Sequence, residues 1–448
     1  MQHDTLDERA LEAAFAKLAR IDEIRFFHSD DFRIAQYELV LESSPPIETL
    51  LPKRNREWMI VWKPKGGDTI YAGLGALLHF SYLDVLRFPE GLRGLRIFGG
   101  TPFPSEKNKS WLELNQSKFF LPEVEWVVTE QKTKARIRTL LVGEFAFEEI
   151  KSRLFEVARE WLLDSNRGFN QQPEVASAVD NPDFEEWNGV VTTVKDEISR
   201  GRMGKVVLGR SKNLMLSVEC DFRWVVKRLL KQVEASYVFA LQAPSGVQFF
   251  GRSPERFLAW ENEKVWLDAL AGTSQNTTAE GAEDLKGSDK DKREHGFVTM
   301  FIESILKETC SRFDVRKKQE VLKLAHVQHL ASEYSGHLKN GVHPVELMGR
   351  LYPNPAVGGY PKNEAVSFLN AVEPLERGWY TGIIGWTDGV QGDFALGIRS
   401  ALAYEKRLKI FGGAGIVSDS DANEEWRETG MKMKNMLEIF GYVHESTL

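Results

Sequence analysis

The sequence predicts an α+β fold, layered sheets with outer helices, on three observations. Apolar runs of strand character arrive in groups, amphipathic stretches of helical period stand apart from them, and no internal repeat or low-complexity block interrupts the pattern. A chain of 448 residues with 42% hydrophobic content is also long enough to bury a substantial core. Taken in order, residues 1–19 form an amphipathic helix of acidic to mixed charge, and strand-like runs follow at EWMIVWKP (57–64) and GLRIFGGTPF (94–103). A helix, FEEIKSRLFEVAREWLL, covers 147–163. Residues 164–183, rich in Asn, Gln, Pro and Ser, read as a surface connection dividing an N-terminal α/β part (1–165) from a second region (185–442). In that region 205–211, 236–244, 247–260 and 264–272 are strand-like, while 289–312, 364–373 and 421–440 are helical.

Composition narrows the function. A net charge of −7, no basic tract and no zinc-type cysteine spacing argue against nucleic acid. Cys220 and Cys310 lie far apart, as buried thiols of a reducing compartment do. No apolar run reaches the ~20 residues of a membrane span, and the N-terminus lacks the basic start and apolar block of a signal peptide. The expectation is a cytoplasmic protein with a small partner, as a monomer or weak homodimer.

Chemistry gathers on two helices. At ~100° per residue, Glu425, Glu428 and Lys432 share a side with Met436 and Ile439, while Glu424, Arg427, Lys434 and Glu438 take the opposite face. Inward carboxylates at i, i+3 cost several kcal/mol unless compensated, and Lys432 is one charge against two. The helix from residue 289 repeats the pattern: Asp291 and Glu294 are embedded among Val298, Phe301, Ile302 and Ile305, with Lys290, Lys292 and Arg293 pointing elsewhere. Acids near a helix start complement its dipole, but two such pairs together resemble a magnesium site, a hard ion that takes oxygen ligands.

The strands add polar groups in apolar company. Lys205 in GKVVLGRS is an edge residue reaching outward or a buried amine. Glu255, after a Ser-Pro turn, is a turn cap or a carboxyl that burial keeps protonated near neutrality. LAGTS (270–274) and FGGAGI (411–416) offer backbone amides to an anion, although tight hairpins look the same, and Arg399 is a natural partner for a carboxylate.

These segments, with DKREH, HVQHL, YPNPAVGGYP, RGWYTGIIGW and EEWRETGMK, run in order through about 185–440 and resemble the chorismate-utilising enzymes, within them the isochorismate synthases. The resemblance implies an anthranilate or aminodeoxychorismate synthase-like α/β sandwich, one intertwined globule with 185–442 as its chorismate-binding catalytic region and the site between its layers. It implies chorismate as substrate, Mg2+ as cofactor, Lys205 as the base that activates water and Glu255 as the general acid. Glu294 and Glu428 match direct magnesium ligands, with Asp291 and Glu425 acting through water. Arg399, the Gly413 amide and Lys432 match the groups holding substrate carboxylates, and Gly272 and Thr273 the loop beside the ring. Water would add at C2 while the C4 hydroxyl leaves.

Relatives that use ammonia lack the strand lysine, and aminodeoxychorismate synthases carry a lysine where Ala271 stands, so no glutamine amidotransferase subunit is expected. Salicylate synthases, which go on to eliminate pyruvate, keep the lysine and are the alternative; a silent anion binder would need Arg399 but neither acid nor base. The product would feed menaquinone or a catecholate siderophore. Departures from the family are the loop SQNTTAEGAED without its usual arginine, Gly412 for a commoner alanine, and Asp393 where glutamate is usual. LVLESS (39–44) is similar to part of a tryptophan-feedback motif whose remaining elements are not recognisable.

Overall fold

The computed structural model describes residues 23–41, 44–52, 57–105, 107–162, 172–232, 235–275, 285–324 and 326–442. The helix expected over 1–19, Glu42 and Ser43 of LVLESS, and the loop 276–284 lie outside them. Among the described residues the strands form two antiparallel sheets, of 13 and 9 strands. Strand periodicity explains how they stack. Along Tyr237–Gln242, side chains alternate: Val238 and Ala240 pack in a core with Leu154 and Met433 of outer helices. Tyr237, Phe239 and Leu241 pack with Phe98 and Ile384 of the smaller sheet. The fold is therefore layered, with helices outside and a sheet-to-sheet core within, as the grouping of strands and helices indicated.

Both sheets draw strands from both halves of the chain. Met59–Lys63 pairs with Tyr237–Gln242 in the larger sheet, and Ile97–Thr101 pairs with Ile383–Thr387 in the smaller. Within the stretch read as a surface connection, Val175–Asn181 is instead a strand of the larger sheet, paired with Lys205–Leu216.

Two strand-to-strand crossings between the sheets run side by side. Gln248–Ser253 belongs to the larger sheet and Arg256–Glu261 to the smaller, so the chain passes between layers at Pro254 and Glu255. It returns between Gln391–Leu396 and Ser400–Tyr404, through Gly397, Ile398 and Arg399. The crossings are tied by backbone bonds: the Arg252 amide donates to the Arg399 carbonyl at 3.0 Å, and the Leu396 amide to the Glu255 carbonyl at 3.3 Å. Glu255 and Arg399 are thereby held at the boundary between layers.

Helix Asp289–Thr309 packs on strand Lys264–Gln275 of the smaller sheet, and helix Ala422–Ile439 on strand Arg407–Ile416 of the larger. The first ends three residues earlier than its apolar pattern suggested, because Cys310 begins a strand, Cys310–Lys323, at the sheet edge.

Candidate active site

A cavity of about 630 Å3, its mouth included, lies between the layers. Glu255, Gly272, Thr273, Glu294, Arg399, Gly413 and Lys432 line it. Asp291, Glu425, Glu428 and Lys205 are not among its lining residues.

Lys205 opens strand Lys205–Leu216, which is paired on both sides, with Arg407–Ile416 and with Gly359–Tyr360 and Val175–Asn181. It is the buried amine and not an edge residue. Its Nζ lies 2.9 Å from Glu294 Oε1. The approach is close: a Cβ at Gly415 would lie 2.0 Å from Glu294 Oε1 and 2.8 Å from Lys205 Cε, so any larger residue there would displace these two side chains.

Glu255 is buried at its crossing and accepts a hydrogen bond from the Leu270 amide at 3.4 Å. Burial, followed by the nearby Asp268 carboxylate, pushes its pKa up to about 8, against smaller opposing effects of Lys65 and Lys205. The carboxyl therefore carries its proton at neutral pH.

Arg399 and Thr381 both line the cavity with positive φ, 51° and 62°, a conformation that costs a non-glycine residue roughly 1–3 kcal/mol. Arg399 Nη1 donates to the Lys432 carbonyl at 3.3 Å, and Nη2 lies 2.9 Å from His329 Nε2. A guanidinium can only donate, so Nε2 accepts and the ring proton sits on Nδ1, within reach of the Gly272 carbonyl (3.3 Å) and Thr273 Oγ1 (3.1 Å). Burial, then Arg399 and Lys432, hold this imidazole neutral. His329 thus joins the arginine to the glycine loop, a role the HVQHL segment did not disclose, since a lone histidine in an apolar strand reads as core. The Thr273 amide is already taken, donating to Asp291 Oδ1 at 3.2 Å.

The four acids project from the two helices, and three of them are each paired with a lysine. Lys205 pairs with Glu294, Lys290 with Glu425 at 2.6 Å and Lys432 with Glu428 at 2.5 Å. Lys290, expected to point away from the acids, points across to the other helix, which its four-carbon stem allows. Among the described residues no three acidic, histidine or cysteine side chains surround a common point as a cation site. The donor set is nevertheless of the kind magnesium takes, carboxylate oxygens only. Burial and then Glu428 push Glu425 up to about 7, and burial also raises Asp291, so the carboxylates crowd one another in a way that a divalent cation would relieve. For Glu294 the cost of burial is outweighed by Lys205 and Lys432, which hold it below the usual range. Helix dipoles account for part of the group only: Asp291 and Glu425 lie in the first turns of helices capped by Ser288 and Asp421, whereas Glu294 and Glu428 lie beyond them.

Of the family departures, Asp393 accepts from the Tyr237 hydroxyl at 2.9 Å, away from the cavity lining. Both cysteines are free and buried, and no described helix is long and apolar enough to cross a membrane.

Comparison with known proteins gives a family and many likenesses, three of which follow. A family model described as a chorismate binding enzyme matches residues 85–441. Isochorismate synthase MenF of Bacillus subtilis is 30% identical over 354 residues, 77% of this chain and 74% of that protein. Isochorismate synthase EntC of Escherichia coli is 28% identical over 342 residues, 72% of this chain and 86% of that protein. The solved structure of MenF, the menaquinone-specific isochorismate synthase of Escherichia coli, superposes with a TM-score of 0.82 at 26% identity, over 96% of this chain and 100% of that one.

Proposed function

The chain belongs to the chorismate-binding enzyme family, and on that premise we propose that it is an isochorismate synthase. It adds water at C2 of chorismate and expels the C4 hydroxyl as water, so the product is an isomer of the substrate. One observation carries this choice within the family. A buried, protonated glutamate, Glu255, lines the cavity from the sheet crossing, and a buried lysine, Lys205, lies directly behind Gly415 of the cavity wall. Lys205, as the neutral amine, takes a proton from the water that attacks C2, and Glu255 gives its own to the departing hydroxyl. Two proton positions at separate ring carbons need two groups that do not neutralise each other, and Lys205 is paired with Glu294 instead of Glu255.

Chorismate carries two carboxylates. Arg399, with its fork held by His329 and the Lys432 carbonyl, the Gly413 amide and Lys432 bind them, while Gly272 and Thr273 border the ring. Glu294 and Glu428 would hold Mg2+ directly, with Asp291 and Glu425 acting through water. When bound, the ion supplies positive charge at the ring carboxylate. A silent anion binder has no use for the acid at Glu255.

Purified protein is incubated with chorismate and Mg2+ and the products identified by NMR and mass. Isochorismate is the expected product. Pyruvate appearing with salicylate would support salicylate synthase instead, and chorismate left unchanged would overturn the assignment.

A further inference from the structure

Behind Glu255, on the side away from the substrate cavity, lies a charged pair that the reaction as written does not use. Asp268 is 3% exposed and lies on strand Lys264–Gln275, two residues before Leu270 and therefore on the same face. Two backbone bonds connect its surroundings to the acid. The Arg256 amide, one residue past Glu255, donates to Asp268 Oδ2 at 3.2 Å, and the Leu270 amide donates to Glu255 at 3.4 Å. Lys65, which follows strand Met59–Lys63 in the other half of the chain, places its Nζ 3.0 Å from the same Oδ2. A second small cavity, bordered by Lys65, Asp268 and Leu270, opens on this side, and Leu270 also borders the substrate cavity. Glu255 is thus bracketed, substrate on one face and the Asp268–Lys65 pair on the other.

We propose that Asp268 and Lys65 are positioning residues for the acid, resting on the reading of Glu255 in that role: the carboxylate favours the protonated form of Glu255, and Lys65 limits that effect. Directions agree with the geometry. Of the charges acting on Glu255, Asp268 is the strongest and opposes ionisation, whereas Lys65 and Lys205 favour it. Around Asp268 stand Lys65, the Arg256 guanidinium at 3.7 Å and, from strand Cys310–Lys323, Lys317. Arg256 is itself fixed by the Tyr237 hydroxyl at 3.1 Å, which bonds to Asp393. A glutamate that must donate a proton in one direction and accept it in the other benefits from an adjustable neighbour outside the substrate's reach.

Removing either member breaks the same ion pair, so a merely structural pair would give variants that change in the same direction. An electrostatic control gives opposite ones. The pH dependence of forward kcat/KM is measured for wild type, Asp268→Asn, Lys65→Met and Glu255→Gln. Asp268→Asn is expected to move the alkaline limb to lower pH by about one unit, and Lys65→Met to move it to higher pH, magnitudes typical of one nearby charge. Asp268→Glu should return the limb toward its original place. Limbs that stay put, or that move the same way in both variants while Glu255→Gln is inactive, would overturn the proposal. Turnover retained by Glu255→Gln would instead overturn the role of Glu255, and with it this inference. Should Asp268→Asn fail to fold, Lys65→Met, at a partly exposed side chain, still decides it, because only an upward shift agrees.

Discussion

Glu255 sits where the chain leaves one sheet for the other, and that position sets its chemistry: burial there, with the Asp268 carboxylate nearby, keeps the carboxyl neutral. With its pKa near 8, Glu255 holds the proton that forward turnover needs below that pH, and forward turnover declines as pH rises through it. Reverse turnover starts from the ionised carboxylate and rises across the same window. Initial rates in both directions from about pH 6 to 10 check the crossing trends. Arg399→Lys keeps the charge but loses the fork that His329 and the Lys432 carbonyl orient, so chorismate binding should weaken by about 1.5–3 kcal/mol in calorimetry. Unchanged affinity would assign Arg399 to the fold. Gly415→Ala would push the Glu294 carboxylate off Lys205. Glu294 has a flexible side chain, so thermal unfolding should change little while turnover falls on the order of 10²-fold. Lys205 and Glu255 were legible in the sequence because a charged residue inside an apolar run is conspicuous. Gly415 and His329 were not, because each matters through atoms of elements distant in the chain.

Helical period carried more information than any single residue, since spacing alone turned Asp291, Glu294, Glu425 and Glu428 inward. It also failed in two places. The direction of Lys290 depends on the opposite helix, which periodicity does not describe. Strand Cys310–Lys323 went unread because it is the outermost strand of its sheet and mostly exposed, so neither face shows an apolar alternation. Its Arg312, Arg316, Lys317 and Lys318 suit an edge that must not pair with another chain. For the two acid helices, Glu428→Gln should abolish Mg2+-dependent turnover, and Mg2+ should no longer raise the thermal unfolding temperature as it does for the parent. Without Mg2+ the variant should unfold at nearly the parental temperature, because one charge is removed from a crowded acid group. Turnover at limiting Mg2+ that matches the parent would remove Glu428 from the ligand set.

For the whole molecule, the apolar pattern showed the layers, but only the family resemblance, as one intertwined globule, pointed to strands from both sides of residue 164 sharing both sheets. Pairing between Met59–Lys63 and Tyr237–Gln242, or Ile97–Thr101 and Ile383–Thr387, leaves no local pattern, as contacts of long sequence separation do not. Residues 185–442 expressed alone should therefore be largely insoluble, with solubility and circular dichroism recovered on co-expression with 1–165. A soluble, cooperatively unfolding 185–442 fragment would contradict this. The same interleaving has a consequence for synthesis of the protein in the cell. A ribosome adding about 5–20 residues per second delivers Ile97–Thr101 on the order of tens of seconds before its partner Ile383–Thr387 exists. Through that interval the emerging chain carries an apolar strand with an open edge, the kind of surface that chaperones hold and that neighbouring nascent chains on one messenger can capture. Yield should thus respond to translation speed and chaperone supply more than to the stability of the finished fold.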